Sequence, residues 1–370
     1  MNSTDSAQAT LLPYTASVIG VGTGGKASLA AIEDSERFQL QAFADTNETT
    51  LAEVKKLYPS ARAFTSVEEM LQTHPTDVTC ISTWPPSHKT MTDLVLRSNP
   101  RGILVEKPLA HKWQDAKTLL DQVKVKRLPI AVPHGLLVSP HAVEICNRVK
   151  KGDIGTVQLV SIECTQWDIM SAGIHWLNFI CHLLPNEQFL SVWSQCDTST
   201  KTFRDGVQVE TSAATYIQSS SGLRIIMQTG DEIKTSVTGE GTVLRLIGTK
   251  GSIEFYGWPS RYRIAFFNPE GKSDYPHDVE ILPNTFSKHQ VHLERVAQEI
   301  DTGSTQYNIA DSSLSALELC EAAYLSHRFR CEVTLPINTF SPPETNNWNP
   351  GEAYNNTGEG RNGRNLPGMN

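Results

Sequence analysis

The sequence lacks the features that mark secreted and membrane-spanning proteins. Its seven cysteines are scattered, odd in number and never spaced as C-x-x-C, so neither a disulfide framework nor a zinc knuckle is indicated. Residues 1–10 are small and polar, without the basic and apolar regions of a secretory signal. No apolar run approaches the roughly 20 residues that cross a bilayer. We therefore expect a cytoplasmic protein without a membrane partner.

Clustered positive charge is also missing. The 370 residues carry a formal net charge of -8, and the basic run Lys124–Arg127 is short. Such a surface repels phosphate backbones, so we expect no nucleic-acid partner. Hydrophobic residues make up 39% and charged residues 19% of the chain, which is typical of globular proteins. The length favours two domains.

The first part of the chain, residues 15–133, alternates short β-branched runs with helical stretches. The predicted strands are Thr15–Ile19, Leu40–Ala44, Val78–Ser82, Ile103–Glu106 and Pro129–Val132. Strands that alternate with helices predict right-handed βαβ units and a doubly wound parallel sheet, the α/β Rossmann architecture. We expect residues 1–14 to form a flexible N-terminus.

The pattern changes after Pro133. Long strand-like runs separated by turn residues follow one helix, and two further helices are predicted at Ser171–Leu184 and Asp311–His327. This spacing predicts an α+β domain over residues 134–338, with an open-faced, mostly antiparallel sheet that carries helices on one face. Residues 339–370 are rich in Asn, Gly and Pro, which predicts an extended or disordered C-terminal arm.

A glycine-rich loop follows the first predicted strand and opens a helix. Its expected cofactor-contacting residues are Gly20, Gly22, Thr23, Gly24 and Gly25. Glycines at this spacing permit a tight turn and let the backbone approach a pyrophosphate, which then lies on free amides at the positive end of the helix. The pattern alone is common. The preceding strand, the following helix and an acid in register together favour a dinucleotide cofactor.

That acid is Asp45, at the end of the second predicted strand. A carboxylate at this position accepts hydrogen bonds from an adenosine ribose. Its charge repels a 2′-phosphate, and the following Thr46 and Asn47 supply no arginine to offset it. We therefore predict NAD as the cofactor, with NADP as the alternative.

Two other strands deliver candidate site residues at their carboxyl ends, where ligands of open α/β sheets bind. One strand leads into Thr83, Trp84 and His88, and the next leads into Glu106 and Lys107. We expect all five residues to contact the cofactor. A lysine in that place can hydrogen-bond a reacting hydroxyl and favour its alkoxide. The alternative is a solvated loop lysine paired with Glu106.

The predicted helix Ser171–Leu184 is apolar on most sides. Its polar residues form one narrow stripe, namely Ser171, His175, Asn178 and His182. A helix that is apolar on most sides is buried, so the stripe must face partners or a wet cavity. A pocket wall is the favoured interpretation, and a satisfied core histidine is the alternative for any one of these residues. No carboxylate lies on the stripe, so we predict no metal site.

Taken together, these elements resemble the Gfo/Idh/MocA family, which includes glucose–fructose oxidoreductase, inositol dehydrogenase and rhizopine catabolism proteins. The resemblance covers about Ala16 to Pro336 and rests on the glycine loop, the Thr83–His88 turn, Glu106-Lys107-Pro108, Lys151–Gly155, Gly173-Ile174-His175 and Ile247–Ser252. It implies NAD(P)-linked oxidation of a sugar or polyol hydroxyl. It also implies that Lys107 contacts nicotinamide and substrate, that His175 is the acid/base, and that the second domain's sheet pairs subunits into dimers or tetramers.

The sequence departs from this family at two places. Where the resemblance implies an aspartate four residues before His175, the chain has Ser171, and Asp168 one turn earlier is the candidate replacement. Where an arginine-containing motif is common, the chain has His134, which we expect to face nicotinamide or substrate. The residues expected to bind substrate are His134, Trp167, Asp168, Ser171, Asn178 and His182.

Three functions remain open from the sequence. The first is a sugar or polyol dehydrogenase that releases reduced cofactor. The second is an enzyme without net redox change, in which bound NAD oxidises the substrate transiently to permit glycosidic cleavage or elimination. The third is a dinucleotide-binding metabolite sensor. In the C-terminal arm, Trp348 and Tyr354 are candidates for docking on a neighbouring subunit, with disorder as the alternative.

Overall fold

The computed structural model describes residues 12–259, 261–282, 286–342 and 351–353. Most of the N-terminus predicted to be flexible therefore lies outside the described residues, although Tyr14 already belongs to the first strand. Trp348 and Tyr354 of the predicted arm also lie outside them.

The N-terminal half forms a six-stranded parallel sheet. Its strands are β1 (Tyr14–Ile19), β2 (Phe38–Ala44), β3 (Arg62–Phe64), β4 (Val78–Ile81), β5 (Gly102–Val105) and β6 (Ile130–Ala131). Their order is β3-β2-β1-β4-β5-β6. Every residue of β4 and β5 is buried, as expected of parallel strands covered on both faces. The strand order reverses between β1 and β4, so the crevice at their carboxyl ends is the expected ligand site.

Helices connect these strands. They are α1 (Thr23–Glu33), α2 (Glu48–Leu57), α3 (Val67–Thr73), α4 (His88–Arg97) and α5 (Trp113–Val125). Short polar residues fix where two of them begin: Asn47 accepts the Thr50 amide ahead of α2, and Ser66 accepts the Glu69 amide ahead of α3. Such caps satisfy amides that the first helical turn leaves unpaired. This half confirms the predicted doubly wound parallel sheet.

The second half contains a nine-stranded sheet with the order β16-β15-β14-β13-β7-β12-β11-β8-β17. Its strands are β7 (Val157–Thr165), β8 (Phe189–Asp197), β11 (Ser212–Ser219), β12 (Arg224–Gly230), β13 (Thr242–Gly248), β14 (Gly251–Phe255), β15 (Arg261–Phe266), β16 (His277–Glu280) and β17 (Val333–Thr334). All pairs are antiparallel except β7 with β12. A separate hairpin joins β9 (Thr202–Arg204) and β10 (Val207–Val209). The predicted mostly antiparallel sheet is confirmed.

One face of this sheet is covered by helices and the other is open. The helices of this half are α6 (Pro140–Lys151), α7 (Ile174–Leu183) and α9 (Asn308–Phe329). The residues of β11 and β12 alternate between buried and exposed along each strand, as in a sheet that is half covered. Trp193 and Ile226 are 49% and 41% exposed on the open face. Tyr216 pairs with both of them in register.

Helix α8 (Lys288–Thr302) was not among the predicted helices. Although it follows the second sheet in the chain, it packs on α1, β5 and β6 of the first. Its apolar residues Leu293, Val296 and Ala297 are buried in the same core as Val18 and Leu104. The chain therefore returns to the Rossmann half after residue 286, and the first residues of α8 lie at the crevice, where His289 contacts Glu106.

The described part of the C-terminal arm, residues 351–353, docks on its own chain. The Gly351 amide donates to the carbonyl of Gln208 at 2.6 Å. The Glu352 carboxylate pairs with Lys112 at 2.6 Å. These contacts join β10 to the start of α5. Within the described ranges, no helix has the length and apolarity needed to cross a bilayer.

Candidate active site

The glycine loop has the geometry of a diphosphate cradle. Gly20 has φ +80°, and a Cβ there would lie 2.8 Å from the Ser82 carbonyl oxygen. A Cβ on Gly25 would lie 1.9 Å from the Gly20 carbonyl oxygen, so both positions require glycine. Helix α1 begins after Gly22, which supplies no side-chain cap. The first amides of α1 are thus left for an anion, which fits a bound NAD.

Asp45 is held against this loop. One carboxylate oxygen accepts the Val21 amide at 2.8 Å, and the other accepts the Asn47 amide at 2.8 Å. The half-buried carboxylate therefore lies at the end of β2, beside the turn that the glycines form. This is where a ribose acceptor is needed, and it is also a structural role that the sequence pattern did not reveal.

The His88 ring holds the loop after β4 in place through two hydrogen-bond contacts. Its ring is fully buried, with Nδ1 2.8 Å from the Pro108 carbonyl oxygen and Nε2 2.8 Å from the Thr83 carbonyl oxygen. We predicted His88 as a cofactor-contacting residue. The structure instead places its ring between the loops that follow β4 and β5, so any effect on the cofactor is indirect. Trp84 is 52% exposed on the outside of the same loop.

Glu106 and Lys107 follow β5 and point to different partners. The buried Glu106 carboxylate contacts Nε2 of His289 at 2.5 Å. Burial alone would raise the pKa of Glu106, but His289 and Lys107 outweigh it and hold the pKa below its usual value. The Lys107 Nζ donates to the Ser171 carbonyl oxygen at 3.2 Å. The structure favours a site lysine over a solvated lysine paired with Glu106, because Lys107 is half-buried and bonds Ser171 while His289 contacts the Glu106 carboxylate.

His175 lies one helical turn beyond Ser171, at the start of α7. Its Nδ1 lies 3.3 Å from Nδ1 of His134. Nε2 of His134 lies 2.8 Å from the Ser313 hydroxyl on α9. His134 is fully buried, so it does not face substrate as we expected. It contacts the Nδ1 side of the His175 ring instead. Because Nδ1 of His175 is occupied, Nε2 is the nitrogen left for a substrate.

Both histidines are held in the neutral form. Burial, the Lys107 charge and His292 lower the pKa of His134 well below 6.5. Burial, Lys107, His134 and Lys288 do the same for the pKa of His175. Two neutral imidazoles at this distance share one hydrogen bond, in which one Nδ1 donates and the other accepts. The pair can therefore present either a lone pair or a proton at Nε2 of His175.

Residues 167–173 shape the approach to this histidine. A single π-helical turn, Ile169–Gly173, precedes α7 and is capped by Asp168, which accepts the Ser171 amide at 2.7 Å. Asp168 is fully buried and lies 3.6 Å from the Arg204 guanidinium. That guanidinium stacks 4.2 Å from the centre of the Trp167 ring. Asp168 thus caps a helix and pairs with an arginine, and the side chain that contacts Nδ1 of His175 is His134.

A second buried carboxylate fixes the same π-helical turn. Glu210 accepts the Ile169 amide at 2.7 Å and the Tyr324 hydroxyl at 2.8 Å. Burial, followed by the nearby charge of Asp168, raises the pKa of Glu210 to about 7. The π-helical turn contains Ser171, whose carbonyl oxygen accepts from Lys107. Glu210 therefore links this turn to Tyr324 on α9.

The other half of the predicted polar stripe does not line this site. Asn178 is fully buried and donates to the Ser312 hydroxyl at 2.9 Å. His182 lies two turns, about 10 Å, beyond His175 and lines a separate cavity of about 840 Å³ with Asn308 and Asp311. The stripe packs along α9, so only its first half reaches the crevice.

Sequence reasoning missed four residues around the site. Ser313 supports His134, and His289 binds Glu106. The Trp258 ring lies 5.7 Å from the His175 ring, edge to face. The Lys288 Nζ lies 3.8 Å from the centre of the Trp258 ring. The available signal was the basic pair Lys288-His289, which directly follows the helix-capping Ser287. Where the chain is described, no group of three or more His, Cys, Asp or Glu side chains could hold a metal ion.

Comparison with family models assigns both halves of the chain. Residues 15–134 match the oxidoreductase family, NAD-binding Rossmann fold, and residues 169–335 match the C-terminal alpha/beta domain of the same oxidoreductase family. Together these matches cover more than half of the chain. The chain belongs to the Gfo/Idh/MocA oxidoreductase family. A comparison with curated proteins gave no match.

Solved structures of other oxidoreductases share the fold. An oxidoreductase from Agrobacterium radiobacter, solved with NAD+, L-tartaric acid and magnesium, is 17% identical with a TM-score of 0.71, over 87% of this chain and 98% of its own. Myo-inositol 2-dehydrogenase from Lactobacillus plantarum is 15% identical with a TM-score of 0.69, over 87% and 99%. Scyllo-inositol dehydrogenase from Lactobacillus casei, solved with NAD(H) and scyllo-inositol, is 15% identical with a TM-score of 0.67, over 87% and 99%.

Proposed function

We propose that this Gfo/Idh/MocA protein is an NAD-dependent dehydrogenase that oxidises a CH–OH group of a carbohydrate-like small molecule. The observation that carries the proposal is the hydrogen bond that holds Lys107, from the first half of the chain, beside the turn that precedes His175 in the second half. Lys107, from the end of β5, bonds the Ser171 carbonyl, which is one turn from His175. A cation and a neutral imidazole beside a dinucleotide crevice are the groups that alcohol oxidation requires.

The proposed reaction assigns one task to each side chain. A bound NAD, held by the glycine loop and Asp45, would supply the acceptor for the hydride that leaves the carbinol carbon. Nε2 of His175 takes the hydroxyl proton, because its pKa is low enough to leave the lone pair available at neutral pH. The Lys107 ammonium stabilises the developing alkoxide. The substrate loses two electrons and two hydrogens and becomes the carbonyl compound.

The His134 contact replaces the aspartate that the family resemblance implies. During oxidation, Nδ1–H of His175 donates to Nδ1 of His134, and this fixes the tautomer that leaves Nε2 free. A neutral imidazole holds that proton in place but supplies no negative charge. The imidazolium formed on His175 is therefore less stabilised than beside a carboxylate, which keeps His175 a weak base that releases its proton readily.

A substrate screen tests this proposal. The protein is incubated with NAD or NADP and with inositols, aldoses, polyols and sugar acids, and absorbance of the reduced nicotinamide is followed. A steady rise with NAD supports a dehydrogenase. A conversion of substrate without accumulation of reduced NAD would indicate the enzyme without net redox change. Tight NAD binding with no conversion of any compound would indicate a sensor.

The charge of Asp45 is expected to set the cofactor preference. Replacing it by asparagine keeps an acceptor for the Val21 amide but removes the charge that opposes a 2′-phosphate. We expect the ratio of kcat/KM for NAD over NADP to fall about tenfold, which corresponds to about 1.4 kcal/mol. The neighbouring Asn47→Ala variant should leave the ratio unchanged. An unchanged ratio in Asp45→Asn would remove Asp45 from cofactor selection.

The open face of the nine-stranded sheet is expected to join two subunits. Trp193, Tyr216 and Ile226 form a cross-strand row there, and exposed apolar patches of this kind mark interaction sites. Trp193→Asp should therefore lower the molar mass measured by light scattering to that of one chain. Leu57→Asp is the matched control, because Leu57 is 68% exposed on α2. A Trp193→Asp protein with the wild-type mass would contradict this assignment.

A further inference from the structure

Lys288 occupies a position that helix stability does not explain. It is the first residue of α8, where the positive end of the helix disfavours a cation. The preceding Ser287 already caps the helix by accepting the Gln290 amide at 3.1 Å. A lysine at this position therefore costs some stability. Its side chain does not cap the helix and can instead bind a ligand in the crevice that α8 adjoins.

The side chain of Lys288 lies along the wall of the proposed active site. Its stem packs over Gly135, where a Cβ would lie 2.5 Å from Lys288 Cδ. Its ammonium lies 3.8 Å from the centre of the Trp258 ring. Trp258 is 49% exposed and also touches the ring of His175. Lys288 is itself exposed, so its ammonium is accessible and lies on a ring that contacts the proposed acid/base.

The acidic groups near these cations are already engaged. The Glu106 carboxylate contacts His289, and Asp168 is buried beside Arg204. Ser171 stands where the family resemblance implies an aspartate. Among the residues that the structure describes, neither Lys107 nor Lys288 has a carboxylate within ion-pair distance. Both cations are close enough to His175 to lower its pKa.

We propose that the substrate carries a carboxylate, which the Lys288 ammonium binds at the edge of the Trp258 ring while Lys107 and His175 act on a hydroxyl. This inference rests on the proposed function and names its substrate class as sugar acids. A monoanion matches the single charge of Lys288. A phosphate dianion is ordinarily held by several cations or by uncapped helix amides, and the Gln290 amide of α8 is already capped.

Matched pairs of acids and neutral compounds test this inference. The pairs are D-gluconate with D-glucitol and D-galacturonate with D-galactose, with D-glucose 6-phosphate as a phosphate probe. Binding to the NAD-loaded protein is measured by calorimetry, and turnover by absorbance of the reduced cofactor. We expect the acid of at least one pair to bind at least about tenfold more tightly than its neutral partner, the range of a charge-assisted hydrogen bond.

Two variants assign the preference to Lys288. Lys288→Met should abolish the tenfold advantage of the acid in binding, because the affinity for the acid falls by about that factor while the affinity for the neutral partner falls much less. Lys126→Met, at the exposed end of α5, should behave as wild type. Equal binding of acid and neutral compounds, no binding of either acid, or a preference that survives in Lys288→Met overturns the inference.

The proposed function can fail separately from this inference. Neutral polyols that reduce NAD with no role for Lys288 would leave the dehydrogenase intact and remove the carboxylate site. Acids that bind in a Lys288-dependent manner without reducing NAD would support the carboxylate site and refute the dehydrogenase. Preferential binding of the sugar phosphate would replace the carboxylate with a phosphate and overturn the assigned class.

Discussion

Replacing His175 by asparagine should lower kcat by about 10²–10⁴-fold, the range expected when a general base is removed. The side-chain NH2 group of asparagine can still donate a hydrogen bond to His134 near the position of Nδ1, so the packing of α7 should be kept. It cannot accept the hydroxyl proton that Nε2 is proposed to take. The measurement is the initial rate of NAD reduction at saturating substrate, together with NAD affinity by calorimetry, which should be unchanged.

His182→Asn is the matched control for this variant. His182 lies on the same helix but lines a separate cavity with Asn308 and Asp311, so its replacement should leave kcat within about twofold. Equal losses in the two variants would indicate damage to the helix rather than to the chemistry. A His175→Asn enzyme with wild-type kcat would show that another group takes the proton.

Replacing His134 by leucine should lower kcat by about 10²-fold, although His134 is fully buried and does not contact substrate. Leucine removes the partner of Nδ1 on His175, so the imidazole loses its fixed orientation and tautomer. Small misplacements of a catalytic group lower the rate by about this factor. His134→Asn retains a hydrogen-bonding group near Nδ1 and should recover much of the rate. KM should change little in either variant.

The pH profile of the wild-type enzyme tests the neutral histidine pair. Because the pKa of His175 lies well below 6.5, the wild-type kcat/KM for oxidation should stay level as the pH falls from 8 to 6 and decline only below that range. A wild-type profile that declines near pH 6.5 or above would contradict the neutral histidine pair. His134→Leu with normal kcat, or without recovery in His134→Asn, would contradict the positioning role.

The sequence was most informative where local patterns determine structure. The alternation of β-branched runs and helices predicted the parallel sheet, since each βαβ unit can close in essentially one way. The glycine spacing predicted the turn at Gly20 and Gly25, because both positions leave no room for a side chain. The site residues that follow β4 and β5 were predicted as well, because the carboxyl ends of parallel strands lie at one edge of the sheet.

Long-range packing limited the prediction of the site. The polar stripe of α7 was visible, but what it packs against was not, because Ser312 and Ser313 are more than a hundred residues away on α9. Asn178 and His182 were consequently assigned to the wrong surroundings. His134 was expected to face the ligand, since a histidine after a strand end gives no sign of whether a later helix will cover it.

Helix α8 shows a further limit. Its sequence is largely polar, and its few apolar residues become meaningful only when they meet α1 and β5. The chain between β16 and α9 was therefore left without a predicted helix, and Lys288 and His289 were left without a role. Likewise, nothing in the composition of the C-terminal arm indicated that Gly351 and Glu352 would bond β10 and α5.

The most direct test of the central claim is the reduction of NAD by wild-type protein beside His175→Asn, across the panel of polyols, sugars and sugar acids. We predict a steady rise in absorbance of the reduced nicotinamide with at least one compound, lost by about 10²-fold or more in the variant while NAD affinity is retained. A wild-type protein that binds NAD but reduces it with no compound, or an unchanged rate in the variant, would contradict the assignment of Lys107 and His175 to hydride-transfer chemistry.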